Sequence, residues 1–256
     1  KGQAVAAKRS DREASEGCVL VKVEEGFGAI IALKCETDFV AQNADFVKLT
    51  QDILDAAVAN KCKTLEEVLA LPMGDATVAQ AVTDRTGITG EKMELDGYMV
   101  LEGATIAAYN HMNRNGLCTM VAFNKKVDEQ LAKQVAMQVA AMSPKYVSRD
   151  EVSQEYMEHE KEILLAQAKK ENPEKPENII EKMIIGRLNK EMKEICLLDQ
   201  VYVQDSDLTV AKYVDKVAKE NNANVTVKKF VRFETGEGLE KKVDDFAAEV
   251  AAQAGM

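Results

Sequence analysis

The chain has 256 residues, 46% of them hydrophobic, which is enough for a sizeable core in one or two domains. Its formal net charge of -10, without a basic run that carries interleaved aromatics, excludes a general attraction for phosphate backbones, so we expect no direct binding to nucleic acid. No apolar run approaches the roughly 20 residues of a membrane-spanning helix, so we expect no membrane segment.

The N-terminal part of the chain has the pattern of a β-hairpin. Residues 1–17 are polar and small, and we interpret them as a linker. Residues 18–35 alternate apolar and polar positions on the two sides of Glu25 and Gly26. Such alternation around a glycine-containing pair predicts two strands joined by a turn.

Three helices are expected between this hairpin and the next strand. The first is predicted by apolar residues at one-sided helical spacing, which are Phe46, Leu49, Ile53 and Ala57. Thr64 and Glu67 match a capping box, which predicts the start of a short helix that ends near Pro72. Residues 75–89 favour another helix, which ends before Gly90.

The order of strand, short loop and alanine-rich helix recurs twice farther along the chain. Strand-like residues 115–126 precede an alanine-rich segment at 131–142, and residues 225–238 precede another at 244–254. This recurrence indicates an internal duplication of an α+β unit. Convergence of alanine-rich helix faces is the alternative interpretation.

Residues between the second and third of these units predict a helical hairpin. Ser148 and Glu151 match a capping box, which predicts a helix over about 149–171. The steps between its apolar positions alternate between four and three residues, the spacing of a coiled-coil seam, at Val152, Tyr156, His159, Ile163 and Ala166. Pro176 suits the first position of a second helix. Its apolar positions are Ile180, Ile184, Leu188, Met192 and Ile195.

The predicted fold class is α+β, with two related sheet-plus-helix subdomains that form a core and an inserted antiparallel coiled-coil helical hairpin. The expected segments are a linker at 1–17, an N-terminal subdomain at 18–103, a C-terminal subdomain at 104–148 plus 222–256, the hairpin at 149–199, and a return segment with a short helix at 200–221. The coiled-coil seam permits either an intramolecular hairpin or a homodimer.

The sequence offers little sign of enzymatic chemistry or of nucleotide binding. Residues 87–92 lack the spacing of a phosphate-binding loop, so we expect no nucleotide cofactor. The five cysteines contain no C-x-x-C pair, which excludes a recognisable metal site and is typical of a reducing compartment. Cys35 or Cys118 could pair with His111 as nucleophile and base. The competing interpretation is that both thiols lie in strands as small buried hydrophobes and that His111 is a surface residue.

The stretch KCETDFVAQN, residues 34–43, places a phenylalanine where the chain turns between a strand and a helix. In one interpretation Thr37 or Asp38 caps a turn and Phe39 folds back onto the helix that begins near Asp45. In the other, Phe39 is displayed as an apolar anchor for a partner, with Asp38 beside it.

Three blocks of the sequence, in this order, resemble the elongation factor Ts family. They are CETDFVAQNADF from Cys35, YNHMNRNGLCTMVAF from Tyr109 and VRFETGEGLEKKVDDFAAEVAA from Val231. The first block contains the T-D-F-V signature of the family, and the resemblance covers essentially the whole chain. Members of the family normally begin with a small helical domain, and residues 1–17 resemble the linker that leads out of it.

The resemblance implies that the chain binds elongation factor Tu, a GTPase, and promotes release of its GDP without covalent chemistry, in the cytoplasm. It implies a wedge near the magnesium and phosphate site of the GTPase, formed by Thr37, Asp38, Phe39 and Val40. It also implies that His111 contacts the C-terminal β-domain of the partner and that Gly90 lies at a second contact near the GTPase domain. The alternative function is a coiled-coil scaffold or chaperone-like adaptor that works through the hairpin at 149–196.

Overall fold

The computed structural model describes residues 2–221 and 223–237. The expected alanine-rich helix at 244–254, and with it the end of the 222–256 segment, lies outside the described residues. The described chain is a mixed α/β fold whose sheets are antiparallel.

The N-terminal sheet has three strands in the order β1-β2-β5, which are β1 at Glu16–Glu24, β2 at Phe27–Cys35 and β5 at Glu94–Glu102. The predicted hairpin turn is confirmed, and Gly26 adopts a φ of 73°, a conformation that glycine reaches without a steric penalty. Strand β2 is the central strand, and its two faces contribute to two different core clusters, so most of its residues are buried.

Helices pack against this sheet and form a first core. The helices and the small two-stranded hairpin of this region are α2 at Asp38–Ala41, α3 at Ala44–Ala59, α4 at Leu65–Leu69, β3 at Pro72–Met73, β4 at Ala76–Thr77 and α5 at Val78–Thr89. The predicted stripe of α3 is confirmed, because Phe46, Ile53 and Ala57 are fully buried. Thr64 caps α4 as predicted, since its hydroxyl accepts a hydrogen bond from the Glu67 N–H at 3.3 Å.

The C-terminal sheet has three strands in the order β6-β7-β8. They are β6 at Thr105–Asn110, β7 at Leu117–Phe123 and β8 at Val227–Glu234. Helix α6 at Glu129–Met142 packs on this sheet. Helix α9 at Val210–Glu220 contributes buried valines to the same core cluster, so the helix of the expected return segment belongs to this core.

The two sheets pack against each other through a shared apolar cluster. Val19 and Ile30 of the N-terminal sheet meet Ile106 and Met120 of the C-terminal sheet there. Gly28 permits the close approach, because a Cβ atom at this position would lie 2.9 Å from the Met120 sulfur. The loops that follow β2 and β6 are therefore carried on one packed core.

Two longer helices lie between α6 and α9. Helix α7 spans Gln154–Glu171 and helix α8 spans Glu177–Ile195, and their apolar residues contact each other along two clusters. The predicted apolar face of α8 is confirmed, because four of its five positions are buried and the fifth is partly buried: Ile180, Ile184, Leu188, Met192 and Ile195.

The predicted start of α7 is wrong, and its predicted seam holds only at the first two of five positions. Residues 149–151 form a single 3-10 turn without a side-chain cap from Ser148, and the α-helix begins after Ser153, which caps it through the Tyr156 N–H. Val152 therefore lies outside the helix, although it and Tyr156 pack against α8 as the seam predicted. The seam fails beyond Tyr156, because the packed positions then follow in steps of four residues and not in alternating steps of three and four. His159 is exposed, while Leu164 and Ala168 pack against α8.

The interpretation of residues 1–17 as a linker missed a helix. Helix α1 spans Gly2–Lys8 and packs on α5. Contact is close, since a Cβ atom at Gly2 would lie 2.5 Å from the Thr83 carbonyl oxygen. The chain entering β1 is therefore attached to the N-terminal core.

Candidate functional site

The stretch after β2 exposes the Phe39 ring and packs the next residue, Val40, partly against the core. Helix α2 is a single turn, capped by the Thr37 hydroxyl, which accepts a hydrogen bond from the Val40 N–H at 3.3 Å. Val40 packs on the first core, whereas the Phe39 side chain is 84% exposed and Asp38 is exposed beside it. The interpretation in which Phe39 folds back onto α3 is therefore wrong.

The far end of this turn is fixed by polar contacts. Asn43 caps α3 through hydrogen bonds from the Asp45 and Phe46 N–H groups, at 3.0 and 3.3 Å. Arg85 of α5 donates to the Asn43 side chain at 3.2 Å and lies 3.3 Å from the Asp45 carboxylate. The turn is therefore tied to α5 as well as to the strand before it.

Gly90 brings a carboxylate beneath the base of the turn. It ends α5 in the left-handed conformation, at φ 74°, and the chain then places Glu91 against residues 36–37. Glu91 accepts hydrogen bonds from the Thr37 hydroxyl at 2.7 Å and from the Thr37 and Glu36 N–H groups at 3.2 Å. The predicted residues Thr37 and Gly90 are thus brought together by a residue that the sequence analysis did not select.

The Glu36 side chain contacts the segment that contains Glu91 and the segment that follows α1. Its carboxylate accepts a hydrogen bond from the Lys92 N–H at 2.6 Å and lies 3.4 and 3.2 Å from the guanidinium nitrogens of Arg9 and Arg12. Burial alone would raise the pKa of Glu36, but the Lys92 N–H and the two arginines outweigh it and lower that pKa. The carboxylate is therefore held in its ionised form.

A second exposed apolar residue lies on the same helix as Arg85. Ile88 of α5 is 72% exposed. The buried residues of α5 are Val78, Val82 and Thr86, and Ile88 falls outside that helical stripe. The sequence analysis missed Ile88, although its position off the stripe was a signal for it.

The turn between β6 and β7 carries His111 on the surface. The Tyr109 hydroxyl lies 3.0 Å from the His111 Nδ1, and the two rings meet edge to face. The backbone is unusual here, because Met112 and Asn113 both have a φ of 54°. His111 is exposed, as the surface interpretation predicted, and Met112 is 60% exposed next to it.

Comparison with known proteins identifies the family. The model of the family described as "Elongation factor TS" matches residues 36–237, which is most of the chain. The chain belongs to the elongation factor Ts family. Its matched region includes the turn with Phe39, the loop with Gly90 and the turn with His111.

Bacterial proteins named elongation factor Ts are similar over most of their length. One from Bacteroides fragilis is 61% identical over 287 residues, covering 91% of this chain and 86% of that protein. One from Bacteroides thetaiotaomicron is 52% identical, covering 82% of this chain and 80% of that protein. One from Syntrophotalea carbinolica is 43% identical, covering 98% of this chain and 85% of that protein.

The thiols of this elongation factor Ts chain are inert in their surroundings. All five cysteines are buried. Burial raises the pKa of the Cys35 and Cys118 thiols to about 12, with the nearby Glu91 charge adding to the effect at Cys35. Each sulfur donates to a carbonyl oxygen, Cys35 to Thr37 and Cys118 to Val19, at 3.3 Å. This geometry favours the buried-hydrophobe interpretation over a nucleophile.

Within residues 2–221 and 223–237, no group of three or more His, Cys, Asp or Glu side chains could hold a metal ion. In the same part of the chain, no helix combines the length and the apolar character needed to cross a membrane.

Proposed function

We propose that this chain is a guanine nucleotide exchange factor that binds elongation factor Tu carrying GDP and promotes GDP release. The observation that carries the proposal is the exposed Phe39 ring, 84% exposed within a segment that matches the T-D-F-V signature. Exchange needs binding and displacement only, so the proposal assigns no covalent chemistry to the chain. Its place of action is the cytoplasm, where translation elongation occurs.

The proposed wedge comprises Thr37, Asp38, Phe39 and Val40. Magnesium and backbone donors hold the phosphates of GDP in GTPases, so a side chain that displaces these elements weakens nucleotide binding. Phe39 would enter the GTPase domain near that site, Asp38 would supply a polar contact, and Val40 would hold the turn to its own core. The partition of exposed Phe39 and partly buried Val40 supports these roles.

The wedge requires support from other contacts. Burying one phenylalanine contributes about 3 kcal/mol at most, which corresponds to about a hundredfold in an equilibrium constant. We propose that His111 contacts the C-terminal β-domain of the partner and that the loop at Gly90 contacts the GTPase domain. Coupling between two ligands is reciprocal, so GDP must weaken binding of this chain by the same factor. GTP entry would then displace the chain.

A second candidate function uses the helical hairpin as a scaffold or adaptor surface. We propose that α7 and α8 form an antiparallel coiled coil, which the shared burial of their apolar residues in two clusters supports. Ile185 of α8 is 56% exposed, and this observation favours a partner for the hairpin. The exchange function depends on the exposed Phe39, whereas the scaffold function depends on the exposed Ile185.

The deciding experiment is stopped-flow release of fluorescent GDP from elongation factor Tu. We expect the parent chain to accelerate release strongly and Phe39→Ala to lose most of that acceleration, by about a hundredfold at the limit of the phenylalanine's burial energy. Ile185→Ala is the matched control, because it also truncates an exposed apolar side chain. Equal loss in both variants, or none in Phe39→Ala, would contradict the wedge.

A further inference from the structure

We propose that Glu36 and Glu91 are positioning residues that hold the backbone at Thr37 so that Phe39 stays displayed. This inference rests on the proposed function, because it assigns a task to residues beneath the wedge. Neither side chain is exposed in the way that Phe39 is, and Glu36 is only 11% exposed. Their effect would therefore pass through the turn and not through the partner.

Glu36 and Glu91 each place a carboxylate on the backbone of the other's segment. The pairing of β2 with β5 ends at Lys34 and Glu94, yet the two chains continue side by side beyond it. Glu36 accepts from the Lys92 N–H at 2.6 Å, and Glu91 accepts from the Glu36 and Thr37 N–H groups at 3.2 Å. Side-chain carboxylates thus replace the backbone carbonyls of the sheet ladder, with stronger, charge-assisted hydrogen bonds.

Glu91 also orients the cap of α2. The Thr37 hydroxyl donates to the Glu91 carboxylate at 2.7 Å and accepts from the Val40 N–H at 3.3 Å. A hydroxyl with its proton committed to Glu91 points its lone pairs at the helix. One carboxylate therefore sets the backbone and the cap of a four-residue helix that is too short to be stable alone.

The Glu36 carboxylate is neutralised by two arginines of the N-terminal segment. Arg9 and Arg12 approach Glu36 at 3.4 and 3.2 Å, and the Lys92 ammonium donates to the Ser10 carbonyl at 3.1 Å. These contacts join the segment after α1 to both of the segments that Glu36 and Glu91 connect. The position of the turn is thereby linked to a part of the chain far from it in sequence.

The test measures fluorescent GDP release from elongation factor Tu at saturating concentrations of each factor. We expect Glu91→Ala to lower the maximal release rate at least about tenfold, and Glu91→Gln, which keeps one acceptor oxygen, to lower it less. Glu94→Gln is the matched control, because Glu94 is an exposed carboxylate three residues away. The melting temperature of each variant shows whether it folds. If Glu91→Ala does not fold, Glu36→Gln tests the same inference independently.

A double-mutant cycle separates positioning from a general structural role. If Glu91 acts through the ring, Glu91→Ala has little further effect in the Phe39→Ala background, whereas independent effects multiply. Release as fast with Glu91→Ala as with the parent, or multiplicative effects in the cycle, would overturn the inference while the wedge stands. No acceleration by the parent chain would overturn the proposed function, and the inference with it.

Discussion

The side chains of residues 37–40 point in different directions and have different contacts. Thr37 turns inward to Glu91, Val40 packs on the core, and Phe39 faces solvent. From the sequence, Phe39 had two possible orientations. A cap at Thr37 is compatible with a ring that folds back onto α3 and equally with a ring that faces solvent. The contact that selects between them joins residues 54 positions apart, and no local pattern encodes such a contact.

His111 offers a residue-level prediction with a natural control. Since its ring is exposed, His111→Ala should change the free energy of unfolding by no more than about 0.5 kcal/mol. Loss of the proposed contact should weaken binding to elongation factor Tu about tenfold. Isothermal titration calorimetry with nucleotide-free elongation factor Tu measures that affinity.

The control is His159→Ala, which removes the other histidine, also exposed, from helix α7. This variant should bind like the parent chain. If the His111 variant and the parent chain bind with equal affinity, the proposed contact of His111 with elongation factor Tu is wrong.

Among the elements, sequence patterns succeeded where an apolar stripe lies wholly inside one helix or strand. The stripe of α3 and the face of α8 are of this kind, and the turn at Gly26 was predicted from its glycine. The seam of α7 failed beyond Tyr156 because the packed face follows steps of four residues, to Leu164 and Ala168, and the expected three-residue step led to the exposed His159. Helix α1 escaped prediction because Gly2, its buried residue, packs through backbone proximity and leaves no apolar pattern.

The hairpin provides a prediction for a whole element. Its distal cluster, around Ala168 and Ile180, shares Leu164 with the basal cluster around Tyr156 and Met192 but has no residue in the core clusters of the two sheets. Replacing residues 161–186 with a short glycine-rich turn should therefore remove the distal cluster and leave the two sheets folded. The basal pairing of Tyr146 with Cys196 would remain to close the insertion.

The shortened chain should still accelerate GDP release to within about twofold of the parent, because the wedge and the sheets are retained. Circular dichroism and stopped-flow release of fluorescent GDP measure the two properties. A folded but inactive shortened chain would favour the scaffold function, in which the hairpin is the working surface.

At the scale of the whole molecule, two three-stranded antiparallel sheets share one apolar interface. We propose that they represent the two related subdomains that the recurring pattern predicts, with α9 joined to the second. The recurrence alone could not give the contact between the sheets. That contact depends on Gly28 meeting Met120, a packing detail visible only in three dimensions.

The buried thiols of this core should make the folded protein less stable at alkaline pH. Burial raises the pKa of Cys18 to about 11 and of Cys35 and Cys118 to about 12. The native state thus keeps these protons when the unfolded state, with thiol pKa values of about 8.5, has released them. Stability is therefore complete below that pH and falls as pH rises from there towards the native pKa values, by about 1 kcal/mol or more per thiol at pH 10.

Urea unfolding under reducing conditions at pH 8 and pH 10 measures this fall. Cys118→Ala is the sharpest control, since it should destabilise the chain at pH 8 by leaving a cavity but should make the fall towards pH 10 smaller. Burial of Tyr98, whose hydroxyl donates to the Cys62 carbonyl at 2.7 Å, raises its pKa and acts in the same direction at higher pH. An unfolding free energy that stays constant between pH 8 and pH 10 would show that the thiols ionise equally in both states, and that these sulfurs are more accessible than their burial implies.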